Sequence, residues 1–453
     1  MRTSSRRVRW AVVAALTTVV AGAALAHATL VRSDPAAGSR VTVAPSALRL
    51  EFNEAVSART SRIELVAPDS QRLSLEIRGD STNAKVLLAD VPLLTSRGQY
   101  RVDWRLVGPD GHAVSGRFSF NFDSTAVADT AVPPSAAPSG SNQPTTTASN
   151  ATLFGALRFL STLTTTLLIG ATAFMLLVLP RVRSARTSIG AYDAVVQERV
   201  RIVAWLSVAA LLPVFVVRLI SQEAALAGSF GAIHSSDLLT IVAETPWGRA
   251  WAMVVVAATS ALVMLRRPRS RTRRTPWVGL AIVCLAVAVA APFLGHPAAA
   301  GGAAIPLDAV HVLAAGGWAG TIMIIGVAAL PVTLRAQLDD RVLMIKSLLG
   351  AFTPIALSCA TLLMITGTGE ALLQLGQVSA LWQTPYGLAL VRKLVLVMGV
   401  LLLGAWHWRV AQGTMARARS ITALRWSMLL DVAVVVGVIA LTAILTGTPL
   451  PTE

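Results

Sequence analysis

At 453 residues, with 54% hydrophobic and only 14% charged side chains and a mean hydropathy of +0.64, the chain is too apolar for one soluble globule and reads as a membrane protein with soluble additions. The formal net charge of +16 would suit a nucleic-acid binder. The excess, however, sits in short Arg clusters between apolar stretches, where it sets orientation in a lipid bilayer, so nucleic acid is excluded as the partner.

Four zones follow in chain order. Residues 1–26 read as a secretory signal: Arg2, Arg6, Arg7 and Arg9 precede an apolar run over 10–25, and Ala24-Leu25-Ala26 is a small-residue cleavage box. Cleavage after Ala26 makes His27 the first residue of the mature chain. Residues 27–123 carry short alternating segments such as Leu48-Arg49-Leu50-Glu51-Phe52, Tyr100-Arg101-Val102-Asp103-Trp104 and Arg117-Phe118-Ser119-Phe120-Asn121-Phe122, punctuated by Gly and Pro. Period-two alternation with frequent turns predicts a small β-sandwich or barrel. Residues 124–150, rich in Ser, Thr, Ala and Pro, read as a disordered tether.

Residues 151–450 hold about eight apolar stretches near the ~20 residues a helix needs to cross the hydrocarbon. They are placed at about 152–180, 200–220, 247–265, 277–294, 306–331, 347–370, 387–408 and 426–446. Arg clusters follow the first, third, fifth and seventh stretches, including Arg181, Arg266, Arg335 and Arg409, whereas 295–305 and 374–385 carry no charge and 221–246 is mildly acidic. The basic side is therefore expected in the cytoplasm, with the N-terminal domain and the C-terminus outside. Thr245-Pro246-Trp247-Gly248 and Thr384-Pro385-Tyr386-Gly387 echo each other before the third and seventh stretches. Thr as N-cap with Pro at the first helical position is a sound helix start, and the echo suggests a duplicated four-helix unit. Cys284 and Cys359, the two cysteines, lie inside apolar runs and read as small packing residues rather than thiolate ligands.

The chemistry points to a metal. A mature N-terminal His27 offers an α-amine and imidazole Nδ1 that close a chelate ring, and Asp110-Gly111-His112 adds a carboxylate and a second imidazole. Two imidazoles, an amine and a carboxylate suit tetragonal Cu(II), with Ni(II) and Zn(II) left open. Glu54 is expected at the surface. In the membrane half, Asp308 and His311 are three apart on one helix face. Ionisable groups inside a span are costly and imply function. With His296 on the same side they form a candidate relay, beside which Gly316, Gly317 and Gly320 permit close helix packing. His234 reads as a loop residue and His407 as mainly structural. The scattered Met175, Met253, Met323, Met364 and Met398 read as packing.

The run from His27 to Ser39, then Pro45 and Leu50-Glu51-Phe52-Asn53-Glu54, with Asp110-Gly111-His112, Gly116 and Phe118 closing the domain, resembles CopC-like periplasmic copper proteins. That resemblance implies Cu(II) ligation by His27, Asp110 and His112. No Met lies between His27 and Phe174, so a Met-rich Cu(I) site is not expected in this domain. Gly295-His296-Pro297, Asp308-Ala309-Val310-His311, Trp318-Ala319-Gly320, Thr384-Pro385-Tyr386-Gly387, Lys393, Asp431 and Thr448-Pro449-Leu450-Pro451 resemble CopD-like membrane proteins. Many of those have Glu where Asp431 stands and Asn near His407, so neither position is assigned a role.

The fold class expected is an N-terminal all-β sandwich or barrel (Greek-key, cupredoxin- or immunoglobulin-like) followed by an all-α polytopic membrane domain. The function expected is copper binding outside a bacterial plasma membrane and copper transport across it, as Cu(II) in the β-domain and, as one form, Cu(I) in the membrane domain. Copper chaperones or a copper oxidase are the protein partners such a role would use. Sequestration or delivery without transport, and a membrane oxidoreductase, are the alternatives. No P-loop is present, which argues against ATP hydrolysis, and no enzymatic activity is expected.

Overall fold

The computed structural model describes residues 29–53, 55–108, 113–123, 148–184, 190–227, 235–266, 275–295, 297, 302–412 and 418–448. The N-terminal part is a two-sheet sandwich. One sheet has the order β1-β3-β7-β6 and the other β2-β9-β8-β4-β5, with β1 Leu30–Asp34, β2 Arg40–Val41, β3 Ala47–Phe52, β4 Ser61–Val66, β5 Arg72–Ser74, β6 Glu76–Gly79, β7 Val86–Asp90, β8 Gly98–Val107 and β9 Ala113–Phe122. Pairing is antiparallel except between β2 and β9.

Alternation decides which face is buried. Leu48, Leu50 and Phe52 of β3, Ile63 and Leu65 of β4, and Tyr100, Val102, Trp104 and Leu106 of β8 all point into one core with Phe118 and Phe120 of β9. Because side chains alternate across a strand, the intervening Arg and Glu residues face outward. Trp104 pairs across the ladder with Gly116, and a Cβ at Gly116 would strike the indole. The ring fills that space and meets Phe52 edge-on at 5.1 Å between centroids. Tyr100 donates its hydroxyl to the Ser96 carbonyl at 2.7 Å, and burial raises its pKa above the ordinary phenol value.

Among the described residues, eight helices are long and apolar enough to cross a membrane. They are α1 (Thr152–Ser184), α2 (Gly190–Ala227), α4 (Pro246–Arg266), α5 (Thr275–Ala290), α6 (Ala304–Thr333), α7 (Leu338–Leu375), α9 (Pro385–Gln412) and α10 (Ala418–Leu445), with short α3 (Ser235–Glu244) before α4 and α8 (Ala380–Gln383) before α9. Helix begins at Ala148, inside the stretch expected as a tether to residue 150, the rest of which lies outside the described residues; Ala, Ser and Asn carry no apolar period to announce it. The expected loop 221–246 is also largely helical, as α2 continues to Ala227 and α3 follows. α1 and α6 cross backbone to backbone: a Cβ on Gly170 would strike Gly320, and one on Gly316 would strike Ile169. Small residues at such a crossing let helices pack by van der Waals contact, as lipid offers no hydrophobic drive.

Both Thr-Pro helix starts form as expected. Thr245 Oγ accepts from Gly248 N at 2.8 Å and Thr384 Oγ from Gly387 N at 3.1 Å, satisfying an amide that a helix N-terminus otherwise leaves bare. The sandwich rests on the end of the helical part formed by the close of α2, by α3 and by the start of α4. There Val107 joins Leu226, Ile241 and Trp247 in one buried apolar cluster.

Candidate metal-handling site

His27, Asp110, His112, Glu54, His296 and His234 lie outside the described residues, so the site is built from their neighbours and from the membrane half. In the sandwich, Val107 pairs with Ala113, which makes 108–112 the connection of the β8–β9 hairpin. The start of β1 faces the same end. Leu30 pairs with Phe52, and the Phe52 ring packs on Trp104, three residues before Val107 in the strand that leads to Asp110. The chain that follows His27 and the chain that precedes Asp110 therefore leave the sandwich at one end.

In the helical part, Asp308 and His311 both lie on α6, near the end that contacts the sandwich side. His311 Nδ1 is 2.9 Å from Thr366 Oγ on α7. That hydroxyl also contacts the Leu362 carbonyl at 2.8 Å; a carbonyl only accepts, so the hydroxyl proton goes to Leu362. Nδ1–H must then donate to Thr366, and the Nε2 lone pair is left available to a ligand. Glu370 Oε1 sits 4.0 Å from His311 Nδ1, with the His311 and Glu370 side chains only 19% and 16% exposed, and it is buried without a hydrogen-bond partner. Gly367 lies against the ring, since a Cβ there would meet His311 Cε1 at 3.4 Å, ordinary van der Waals contact.

The third wall is α9. Lys393 interacts electrostatically with both Asp308 and Glu370, and Tyr386 faces the same two carboxylates while donating its hydroxyl to Gln374 Oε1. Two carboxylates, an imidazole, an ammonium and a phenol from three helices thus share one region. Taking about 1.5 Å per residue, Asp308 lies about 6 Å, Glu370 about 8 Å and Lys393 about 12 Å inside the nearer ends of their helices. Among the described residues no three His, Cys, Asp or Glu side chains form a group that could hold a metal ion.

Of the relay residues expected from the sequence, the structure places Asp308 and His311 together. Glu370, Thr366 and Gln374 were missed. Glu370 carried a signal, a carboxylate five residues before the end of an apolar helix, of the kind that marks function inside a membrane. Thr366 and Gln374 carried none. His407 stands apart. Its Nδ1 is 3.0 Å from Asp431 Oδ2, both side chains 5% exposed, and its Nε2 is 2.6 Å from Ser427 Oγ. It lies fourteen residues beyond Lys393 on α9, about 21 Å along the axis. Cys284 and Cys359 are both free thiols, Cys284 buried and in contact with Thr172 Oγ at 3.6 Å, which fits their reading as packing residues.

Comparison with known proteins bears on the whole chain. Residues 30–123 match the CopC domain family, residues 148–306 the copper resistance protein D-like N-terminal domain, and residues 346–445 copper resistance protein D. The chain is 27% identical over 469 aligned residues to the copper transport protein CutJ of Bacillus subtilis, covering 99% of this chain and 79% of that protein. It is 31% identical over 122 residues to protein YobA of Escherichia coli, covering 27% of this chain and 98% of YobA. Among solved structures, CopC from Methylosinus trichosporium matches 23% of this chain and all of that one at 27% identity, with a TM-score of 0.21.

Proposed function

Because the chain belongs to the copper resistance family that joins a CopC domain to a CopD membrane domain, we propose that it binds Cu(II) outside the plasma membrane and passes copper inward through its helices. His27, Asp110 and His112 capture the ion. The amine, the two imidazoles and the carboxylate are a donor set suited to tetragonal Cu(II), and the two ends of the sandwich chain that carry them leave it together. His296, Asp308 and His311 then receive it, with Glu370 joining them. Arg-rich connections on the opposite end of the helices fit a cytoplasmic side there, which puts the sandwich and the C-terminus outside.

The observation that carries this reading is the cluster on α6, α7 and α9. Its carboxylates offer a cation negative charge in a low-dielectric setting, where Coulomb attraction is strong, and Thr366 holds the His311 ring so that Nε2 faces a ligand. Lys393 offsets the carboxylates when no ion is present. A transit site must bind well enough to admit an ion and loosely enough to release it, and a cluster that sets an ammonium beside its two carboxylates and imidazole fits that demand. Delivery to a chaperone or oxidase without transport needs no ionisable cluster inside the span, and the cluster therefore favours transport. A bis-histidine haem site is disfavoured, since His311 belongs to the region of Lys393 while His407 lies about 21 Å further along α9.

The test is copper uptake into proteoliposomes holding the full chain. Uptake is expected in the wild type and is expected to be lost in Asp308→Ala/His311→Ala. Equal uptake by both proteins rules out the assigned route.

A further inference from the structure

Arg158 of α1 and Arg218 of α2 take no part in the copper cluster, and they stand together where two spans end. Arg218 Nη2 lies 3.5 Å from the carbonyl of Leu294, at which the span that continues α5 closes. Arg158 Nε donates to the Ala443 carbonyl at 3.2 Å, two residues before the close of α10. Gly447 follows so near that a Cβ there would strike the Arg158 guanidinium. α2 runs on from Arg218 to Ala227, about 14 Å further, and meets the sandwich there through Leu226. Both guanidiniums are therefore level with the ends of two spans, at the depth where hydrocarbon gives way to headgroups.

The pair is cationic and unbalanced. Arg158 acts on Arg218 as a like charge, and among the described residues no carboxylate pairs with Arg218. Its second hydrogen bond runs from Nη1 to Ser161 Oγ, also at 3.5 Å. Both bonds are longer than the ~2.7–2.9 Å of a charge-assisted contact. Ser161 gives its own proton to the Arg158 carbonyl at 2.9 Å, so it offers Arg218 a neutral lone pair and no charge. The Phe215 ring covers one face of the guanidinium at 5.3 Å. Two like charges held together at the edge of a low-dielectric region repel strongly unless an anion joins them.

We propose that Arg158 and Arg218 form a binding site for a phosphate group, borne by the headgroup of an anionic phospholipid or by free phosphate. A guanidinium sets its N–H donors in a planar fork that meets two phosphate oxygens at once, whereas a halide meets it at one point. Basic pockets between membrane helices recognise headgroups through this chemistry. Both arginines are only partly buried, which leaves the fork of Arg218 open to a ligand. A bound phosphate would bridge α1 to α2 and, through the carbonyls that the same arginines touch, tie in the ends of α5 and α10. The site is separate from the copper route, and its occupancy is read without any flux.

The test uses the full chain, stripped of lipid in a neutral detergent. Equilibrium binding of radiolabelled inorganic phosphate is measured at fixed ionic strength with chloride as the balancing anion. Native mass spectrometry counts the lipid retained from mixed vesicles of phosphatidylglycerol and phosphatidylcholine. The wild type is expected to hold one phosphate or one phosphatidylglycerol per chain and to gain thermal midpoint as it does so. Arg218→Gln is expected to weaken binding about 10- to 150-fold, the scale of losing hydrogen bonds to a charged group. Arg218→Lys keeps the charge without the fork and is expected to lie between. Phosphatidylglycerol held without inorganic phosphate assigns the site to a lipid headgroup, and the reverse assigns it to a free oxyanion. A wild type that takes up neither above the chloride and phosphatidylcholine background overturns the site, as does Arg218→Gln binding as tightly as the wild type. If the glutamine variant does not fold, the lysine variant carries the comparison, and wild-type affinity in it overturns the fork.

Discussion

Replacing Thr366 by Val tests the chemistry of the membrane cluster at a residue that carries no charge. The substitution keeps the shape of a buried side chain (3% exposed) and removes one oxygen, which accepts from His311 Nδ1 at 2.9 Å. Leaving a buried donor unmet costs about 1–3 kcal/mol, so the ring turns or shifts its proton to Nε2, and either change withdraws the ligand nitrogen. At about 1.4 kcal/mol per factor of ten, the expected loss is roughly 5- to 150-fold. It overlaps the 10- to 100-fold typical of removing a group that orients a metal-binding histidine. The assay is the initial rate of copper uptake into proteoliposomes at matched protein content. Thr366→Ser restores the oxygen and is expected to keep most of the rate. A valine variant as fast as the wild type, or a serine variant as slow as the valine, refutes the argument that Thr366 sets the tautomer.

Two further outcomes are expected. Asp431→Ala removes the acceptor that stands 3.0 Å from the buried His407 Nδ1, and an unmet buried ring N–H costs about 1–3 kcal/mol. It is expected to lower the thermal midpoint in detergent sharply, while Asp431→Asn, which keeps an acceptor for Nδ1–H, lowers it less; equal midpoints for Ala and wild type refute a structural role for the pair. One residue added before His27 removes the chelating amine and is expected to weaken Cu(II) binding by the processed protein. A titration followed by EPR showing unaltered affinity excludes the amine as a ligand.

The parts of this protein that repeat locally were legible in the sequence. The alternation of Leu48, Leu50 and Phe52 with Arg49 and Glu51 marked a strand of the sandwich, because strand periodicity is a local matter. Runs of apolar residues named all eight long helices, because spanning a bilayer is a length condition. Thr245 and Thr384 named two helix starts through their own hydroxyls. What escaped was long-range. Arg62 and Asp237 are 175 residues apart, and nothing near either announces the other, so the acidic stretch after α2 read as a loop. Thr366 was equally silent. A Thr in an apolar helix usually bonds its own backbone, as Thr366 does with Leu362, and its second contact exists only because α6 packs beside α7. The same holds for Glu370, whose carboxylate was visible while its neighbours were not.

The two Thr-Pro turns carry the argument one step further. In each, the threonine hydroxyl donates back to a carbonyl of the preceding short helix at 2.7 Å, Ile241 in one and Ala380 in the other. In each, a Cβ on the following glycine, Gly248 or Gly387, would strike that same carbonyl. Such agreement in bond, length and steric demand exceeds what a four-residue match supplies, and it supports the duplicated unit. The long helix that precedes each short one carries a carboxylate near its close, Glu223 four residues before the end of α2 and Glu370 five before the end of α7. A shielded carboxylate keeps its charge more readily beside a cation, and each half supplies one. In the first half the cation is Arg62 of the β-domain, and in the second it is Lys393, beside the imidazole of His311. One device, an acid near the close of a long helix, thus meets the sandwich in one place and frames the candidate ion path in the other.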